Sequence, residues 1–131
     1  MEHSLRNKFL GTGDGYHPLR KIRIALSGMK YAILLDFSVA YKVVISVAVL
    51  AIAFIFRAWV DFLVILLATG LMLTAEMLNS AIEALCDLLV SGYNEKIKVI
   101  KDIAAAAAGI SIVVWLTVLV VELSEILPLL S

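Results

Sequence analysis

Cysteine is nearly absent from this chain: Cys86 is the only one. An intramolecular disulfide and a cysteine metal cluster are therefore excluded. Set among acidic and apolar neighbours, a lone buried thiol serves as a small packing group. Histidine is almost as scarce. His3 and His17 have no companions at metal-ligand spacing and are expected to be solvated. The two prolines, Pro18 and Pro128, stand where a helix can begin and where one ends. Charge is sparse too, at 17% of residues, with eleven of each sign. No basic tail or patch is large enough to argue for nucleic acid. The N-terminal part is polar or amphipathic and does not read as a secretory signal, so the first apolar segment is expected to direct insertion.

What the chain has instead is apolar length. Its 131 residues are 63% hydrophobic, with a mean hydropathy of +1.03. Soluble domains run at about 45–50% apolar. The composition predicts an all-α integral membrane protein: an N-terminal amphipathic surface helix followed by three transmembrane helices.

Residues 1–17 are mixed and glycine-rich, with Gly11, Gly13 and Gly15 around Thr12 and Asp14. That spacing is no dinucleotide fingerprint, because no strand precedes it. A flexible entry segment is expected. Residues 18–131 form one domain. From 18 to 34, Leu19, Ile22, Leu26, Met29 and Ile33 recur at three- and four-residue steps, with Arg20, Lys21, Arg23, Ser27 and Lys30 elsewhere on the wheel. This pattern predicts a helix lying in the membrane surface. A helix packed on a soluble partner is the alternative, and the basic residues beside a span favour the membrane. Spans are expected at about 36–56, 58–90 and 95–127, each long enough for the roughly twenty residues a crossing needs. Lys42, inside the first span, is expected to snorkel. Gly92, in the turn Ser91-Gly92-Tyr93-Asn94, is a candidate helix C-cap. Ala104 to Ala108 and Gly109 offer a small-residue face for close helix contact. Glu122, Glu125 and Pro128 are expected to end the last helix.

Lys and Arg set the orientation. Arg6, Lys8, Arg20, Lys21, Arg23 and Lys30 precede the first span, and Lys96, Lys98 and Lys101 lie between the second and third. The other side has Arg57 and an acidic tail. By the positive-inside rule the N-terminus and the 91–101 turn are cytoplasmic. Asp36, Glu76, Asn79, Glu83, Asp87, Lys101 and Asp102 then gather at the cytoplasmic interface.

Chemistry concentrates in the stretch from Ala75 to Asp87. On a helix of about 100° per residue, Glu76, Asn79, Glu83 and Asp87 fall at roughly 0°, 300°, 340° and 20°. They form one polar stripe. Leu78, Ala81, Leu85 and Leu89 lie opposite. An intramembrane carboxylate costs on the order of 3 kcal/mol and is a functional candidate by default. Two on one face, with an amide between, can place a divalent cation beside a general base. A polar seam joining helices through protonated carboxyls is the plainer alternative. Carboxylates, an Asn and a Lys facing the cytosol suit Mg²⁺-phosphate chemistry on a lipid headgroup. Three helices cannot enclose a large site alone, so a homo-oligomer is expected.

Glu76-x-x-Asn79-Ser80-Ala81-Ile82-Glu83-x-x-x-Asp87, followed by Lys101-Asp102-x-Ala104-x-x-Ala107, closely resembles the small bacterial integral-membrane diacylglycerol kinases, including the undecaprenol kinases. The resemblance covers about residues 18–125. It implies ATP-dependent phosphorylation of a lipid hydroxyl at the cytoplasmic face of the bacterial inner membrane, by a homotrimer with sites shared between protomers. By the same resemblance, Glu76 is the base that accepts the lipid hydroxyl proton, with Asn79 positioning the reacting groups and Ser80 on the lipid side. Glu83 is a Mg²⁺ ligand, with Asp36 as the second. Lys101, Asp102, Asp87, Glu83 and Tyr93 form the nucleotide side. The chain departs from the family pattern at Asp36, where a Glu is usual and a following Arg is missing. It departs again at Lys42 (a Glu in some members), at Ile24 (often Tyr), and at Gly92-Tyr93-Asn94. These departures thin the nucleotide side, and the motif does not choose between diacylglycerol and undecaprenol.

Two other functions remain open at this point. A non-enzymatic membrane oligomer, a channel or scaffold with a degenerate kinase site, would keep Lys42 and Asp61 in its spans and bind no Mg-ATP. An amphipathic-helix lipid sensor built on residues 18–34 would bind curved membranes through that segment alone.

Overall fold

The structure, a computed structural model, describes residues 17–56 and 58–130. The glycine-rich segment, His3 and Arg57 lie outside the described residues. All elements among the described residues are helical: α1 (Pro18–Leu35), α2 (Phe37–Ile55), α3 (Trp59–Leu89), α4 (Glu95–Ile126) and a short 3₁₀ turn, Leu127–Leu130. Contacts divide the chain into a unit ending at Tyr31 and a unit from Ala32 onward.

The first unit contains most of α1, which opens on Pro18, a residue with no N–H to leave unsatisfied at a helix start. In the second unit, α2, α3 and α4 are each long and apolar enough to cross a membrane. The protein is thus a membrane protein with three candidate spans. The hydropathy limits read from sequence fall within a residue or two of the helix ends, because charged or turn-forming residues bracket each apolar run.

Inward-facing positions follow helical periods. On α2 they are Val39, Lys42, Ser46, Val49 and Ala53. On α4 they are Ala104, Ala108, Ser111, Trp115, Leu119, Glu122 and Ile126. α3 presents Ile65, Ala68, Thr69, Met72 and Glu76. The core gathers around Val49, Ile65, Met72, Trp115 and Leu119. α3 packs along α4 most extensively, and α2 joins chiefly through α3. Outward positions such as Val44, Leu67 and Ile110 are exposed and apolar, as lipid-facing surface requires. Hydroxyls along the spans turn back to their own helices: Thr74 donates to the Gly70 carbonyl at 2.8 Å and Thr117 to the Val113 carbonyl at 2.8 Å.

Three local expectations need correction. α3 ends at Val90 in an extended conformation, and Gly92 has no left-handed backbone, so it is not the cap. α4 instead starts on Asn94, whose side chain accepts from the Lys96 and Ile97 amides at 3.0 and 3.2 Å. Gly109 has open space where a Cβ would stand, so the close contact on α4 within one chain falls to Ala104 and Ala108. The helix runs through Glu122 and Glu125 to Ile126, because a carboxylate side chain does not break a helix as Pro128 does.

Trp115 Nε1 donates to Ser46 Oγ at 2.8 Å between two buried side chains, tying α4 to α2. Interhelical hydrogen bonds of this kind contribute about 0.6 kcal/mol on average in membranes, and up to about 1.7. S46A and W115F are each expected to lower stability by about that range, and the double variant by less than their sum. Unfolding in mixed detergent micelles measures all three.

Candidate active site

The site begins with where α2 starts. Asp36 is its N-cap: Oδ1 accepts from the Ser38 amide at 2.9 Å. This satisfies one free N–H of the first turn and places an acid at the positive end of the helix. Asp36 therefore has a structural task of its own, leaving its second oxygen for any ligand.

One turn into α2, Lys42 lies on the buried period. It does not snorkel. Its Nζ donates to Ser38 Oγ at 2.9 Å and to Glu76 Oε1 at 2.5 Å. The Lys42 and Glu76 side chains are 4% and 10% exposed, so the pair is closed off from solvent. The reason is geometric. Lys42 shares its face with Val39, Ser46 and Val49, and that face turns toward α3. An ammonium there gains more from a facing carboxylate than from reaching for the interface. Glu76 has its other oxygen, Oε2, buried with no hydrogen-bond partner.

The stripe on α3 then changes environment turn by turn. Glu76 is buried, Asn79 and Ser80 are half-buried, and Glu83 and Asp87 are exposed. Glu76 and Glu83 are about 10 Å apart along the axis at 1.5 Å per residue. The cleft between α3 and α4 is lined by neither of them. Asn79 lines this cleft of about 350 Å³, with Leu78, Ile82, Ile100, Ile103 and Ala107. Its Oδ1 is buried and unpartnered. An acceptor without a donor in an apolar cleft is a place where a ligand hydroxyl or amide fits.

At the exposed end, Lys101 Nζ donates to Asp87 Oδ1 at 2.6 Å, joining the start of α4 to the end of α3. Asp102 does not join them; Lys98 takes it at 2.8 Å within α4. Both pairs are solvent-exposed, so each contributes only about 0–1 kcal/mol and yields readily to a phosphate. Tyr93 is exposed in the turn between the helices. Glu83 makes no ion pair among the described residues and is available to a cation. Cys86 is buried and free, as a packing thiol.

Sequence reasoning missed the partnership of Lys42. The signal was present: a lysine at a three- and four-residue step from Val39 and Ser46 belongs to the buried face, and an intramembrane charge needs a partner. It also missed the carboxylates at the far end of the bundle. Asp61, Glu122 and Glu125 hold ligand atoms within 4.8 Å of one another, the only such group of three among the described residues.

The family model for prokaryotic diacylglycerol kinase matches residues 23–123. No curated protein and no solved structure matches.

Removing one member of a buried ion pair typically destabilises by about 3–5 kcal/mol. Lys42→Met is expected to lose that much, measured by unfolding in micelles. K42M/E76Q is expected to recover most of it, since the stranded charge is gone.

Proposed function

The chain belongs to the prokaryotic diacylglycerol kinase family, and from that membership we propose that it is an ATP- and Mg²⁺-dependent lipid kinase phosphorylating diacylglycerol or undecaprenol at the cytoplasmic face of the bacterial inner membrane. Membership alone makes it a membrane lipid kinase in general. The observation that carries the finer reading is the environment of Glu76: one oxygen held by Lys42, the other buried and unpartnered.

A carboxylate in that state can act as a base. The ammonium beside it offsets its negative charge at that depth. Its free Oε2 has an unused lone pair for a hydroxyl proton. Phosphoryl transfer asks little basicity of this residue, because it mainly orients the nucleophile in a loose transition state. Asn79 offers its unpartnered oxygen in the apolar cleft, where a lipid headgroup can sit with its chains against Leu78, Ile82 and Ile103; Ser80 flanks that position.

The exposed end suits the nucleotide. Lys101 is held at the α3–α4 junction by Asp87 and is placed to neutralise phosphate oxygens, with Asp102 and Tyr93 nearby in sequence. The donor set fits Mg²⁺, which takes one or two carboxylates and completes its shell with water and phosphate oxygens. Glu83 is exposed and makes no ion pair among the described residues, and Asp36 keeps one oxygen beyond its cap. When bound, the ion neutralises charge on the transferring phosphoryl group. The separation of Glu76 from Glu83 along α3 supports a site completed by another copy of the chain, as a homotrimer with shared sites would do.

A channel or scaffold would keep the closed Lys42–Glu76 pair equally well. Mg-ATP binding separates the two readings.

Purified protein is expected to transfer ³²P from ATP to lipid, and parallel assays with diacylglycerol and undecaprenol identify the acceptor. E76Q is expected to lower turnover by about 10²–10⁴-fold with the oligomer intact. Normal turnover in E76Q would remove Glu76 from the base role, and absence of both transfer and Mg-ATP binding in the wild type would favour the non-enzymatic module.

A further inference from the structure

We propose that Asp61, Glu122 and Glu125 form a second cation site, for a hard divalent ion of the Ca²⁺ type, at the end of the bundle opposite Glu83 and Asp87. Asp61 lies in the first turn of α3, and Glu122 and Glu125 lie at the end of the antiparallel α4. One oxygen from each can meet the others within 4.8 Å. Ca²⁺ takes oxygen ligands in a flexible geometry, which suits carboxylates from two different helices, whereas Mg²⁺ demands a near-ideal octahedron.

The independent observation is Glu122. It is only 8% exposed, and its Oε2 has no hydrogen-bond partner while belonging to a residue that faces the other two acids. Among the described residues, no basic side chain pairs with this cluster. Asp61 gains from the positive end of α3, but Glu122 and Glu125 sit at the negative end of α4, whose last turn holds no basic residue. A divalent cation would answer all three acids and tie the start of α3 to the end of α4. Water completes the shell on the exposed Glu125 side. This inference stands apart from the kinase reading, since none of its three residues belongs to the proposed active site.

The test uses the full chain in detergent with Tb³⁺ as the probe, excited through Trp59, two residues from Asp61. A saturable luminescence is expected. It should be displaced by millimolar Ca²⁺, fall at least about tenfold in D61N/E125Q, and persist in E83Q. Signal unchanged in D61N/E125Q, or lost in E83Q alone, overturns the proposal. Thermal unfolding of the wild type at neutral pH supplies a readout that needs no folded variant. Ca²⁺ is expected to raise the midpoint above that in chelator, and to do so equally in E83Q. A midpoint indifferent to Ca²⁺ overturns the site, and one indifferent to Ca²⁺ but lowered by R57Q assigns the charge balance to Arg57 instead.

Discussion

The contact between Lys42 and Glu76 constrains this bundle more than any other. Among lipid chains, apolar surface gives a helix little reason to prefer one neighbour or one rotation. Polar groups supply the preference, because an unpaired charge or donor at that depth is expensive. Lys42 and Ser46 stand one turn apart on α2. The first meets Glu76 on α3 and the second meets Trp115 on α4. Two adjacent turns of one helix thereby fix its rotation against both others. Shifting α2 by one residue would break both contacts at once, leaving Glu76, Ser46 and Trp115 without partners and Lys42 without its carboxylate.

That constraint also shapes the chemistry available along α3. Lys42 closes over Glu76, which is buried; seven and eleven residues further on, Glu83 and Asp87 are exposed. The stripe is graded from dry to wet over about 10–16 Å of helix. A reaction between a membrane alcohol and a water-borne triphosphate needs such a gradient. In the proposed reaction the hydroxyl arrives at lipid depth and the phosphates arrive from water, and the residues proposed for each lie at matching levels. The plainer reading of the stripe as a helix-joining seam accounts for Glu76 Oε1. It does not account for Glu76 Oε2 or Asn79 Oδ1, which join nothing.

The spans and their limits were legible in the sequence because apolar runs end where charge or turn residues begin, a one-dimensional property. The shared face of Glu76, Asn79, Glu83 and Asp87 was legible for the same reason, since periodicity needs only one helix. Pairings across helices were not. Lys42 and Glu76 are 34 residues apart, and Asp61 is 61 from Glu122. Which of them meet depends on how far each helix is rotated and shifted against the next. Asp36 shows a further limit. The same carboxylate that matches a ligand position also suits an N-cap, and only backbone geometry reveals that it serves as one.

The two ends of the bundle balance their acids in opposite ways. At the Glu83 end, Asp87 and Asp102 face Lys101 and Lys98 in exposed pairs. Weak, wet pairs exchange partners readily, so a phosphate can take the lysines and a cation the freed acids. At the Asp61 end no lysine stands by among the described residues, and the acids draw together around a buried oxygen. On the two proposals, one end trades ligands whereas the other holds one. A fixed cation there would close the bundle at the end where helix packing alone must oppose carboxylate repulsion. The α3–α4 contact would then be pinned at its far end and free to adjust near Asn79, where the cleft opens and the proposed substrates meet.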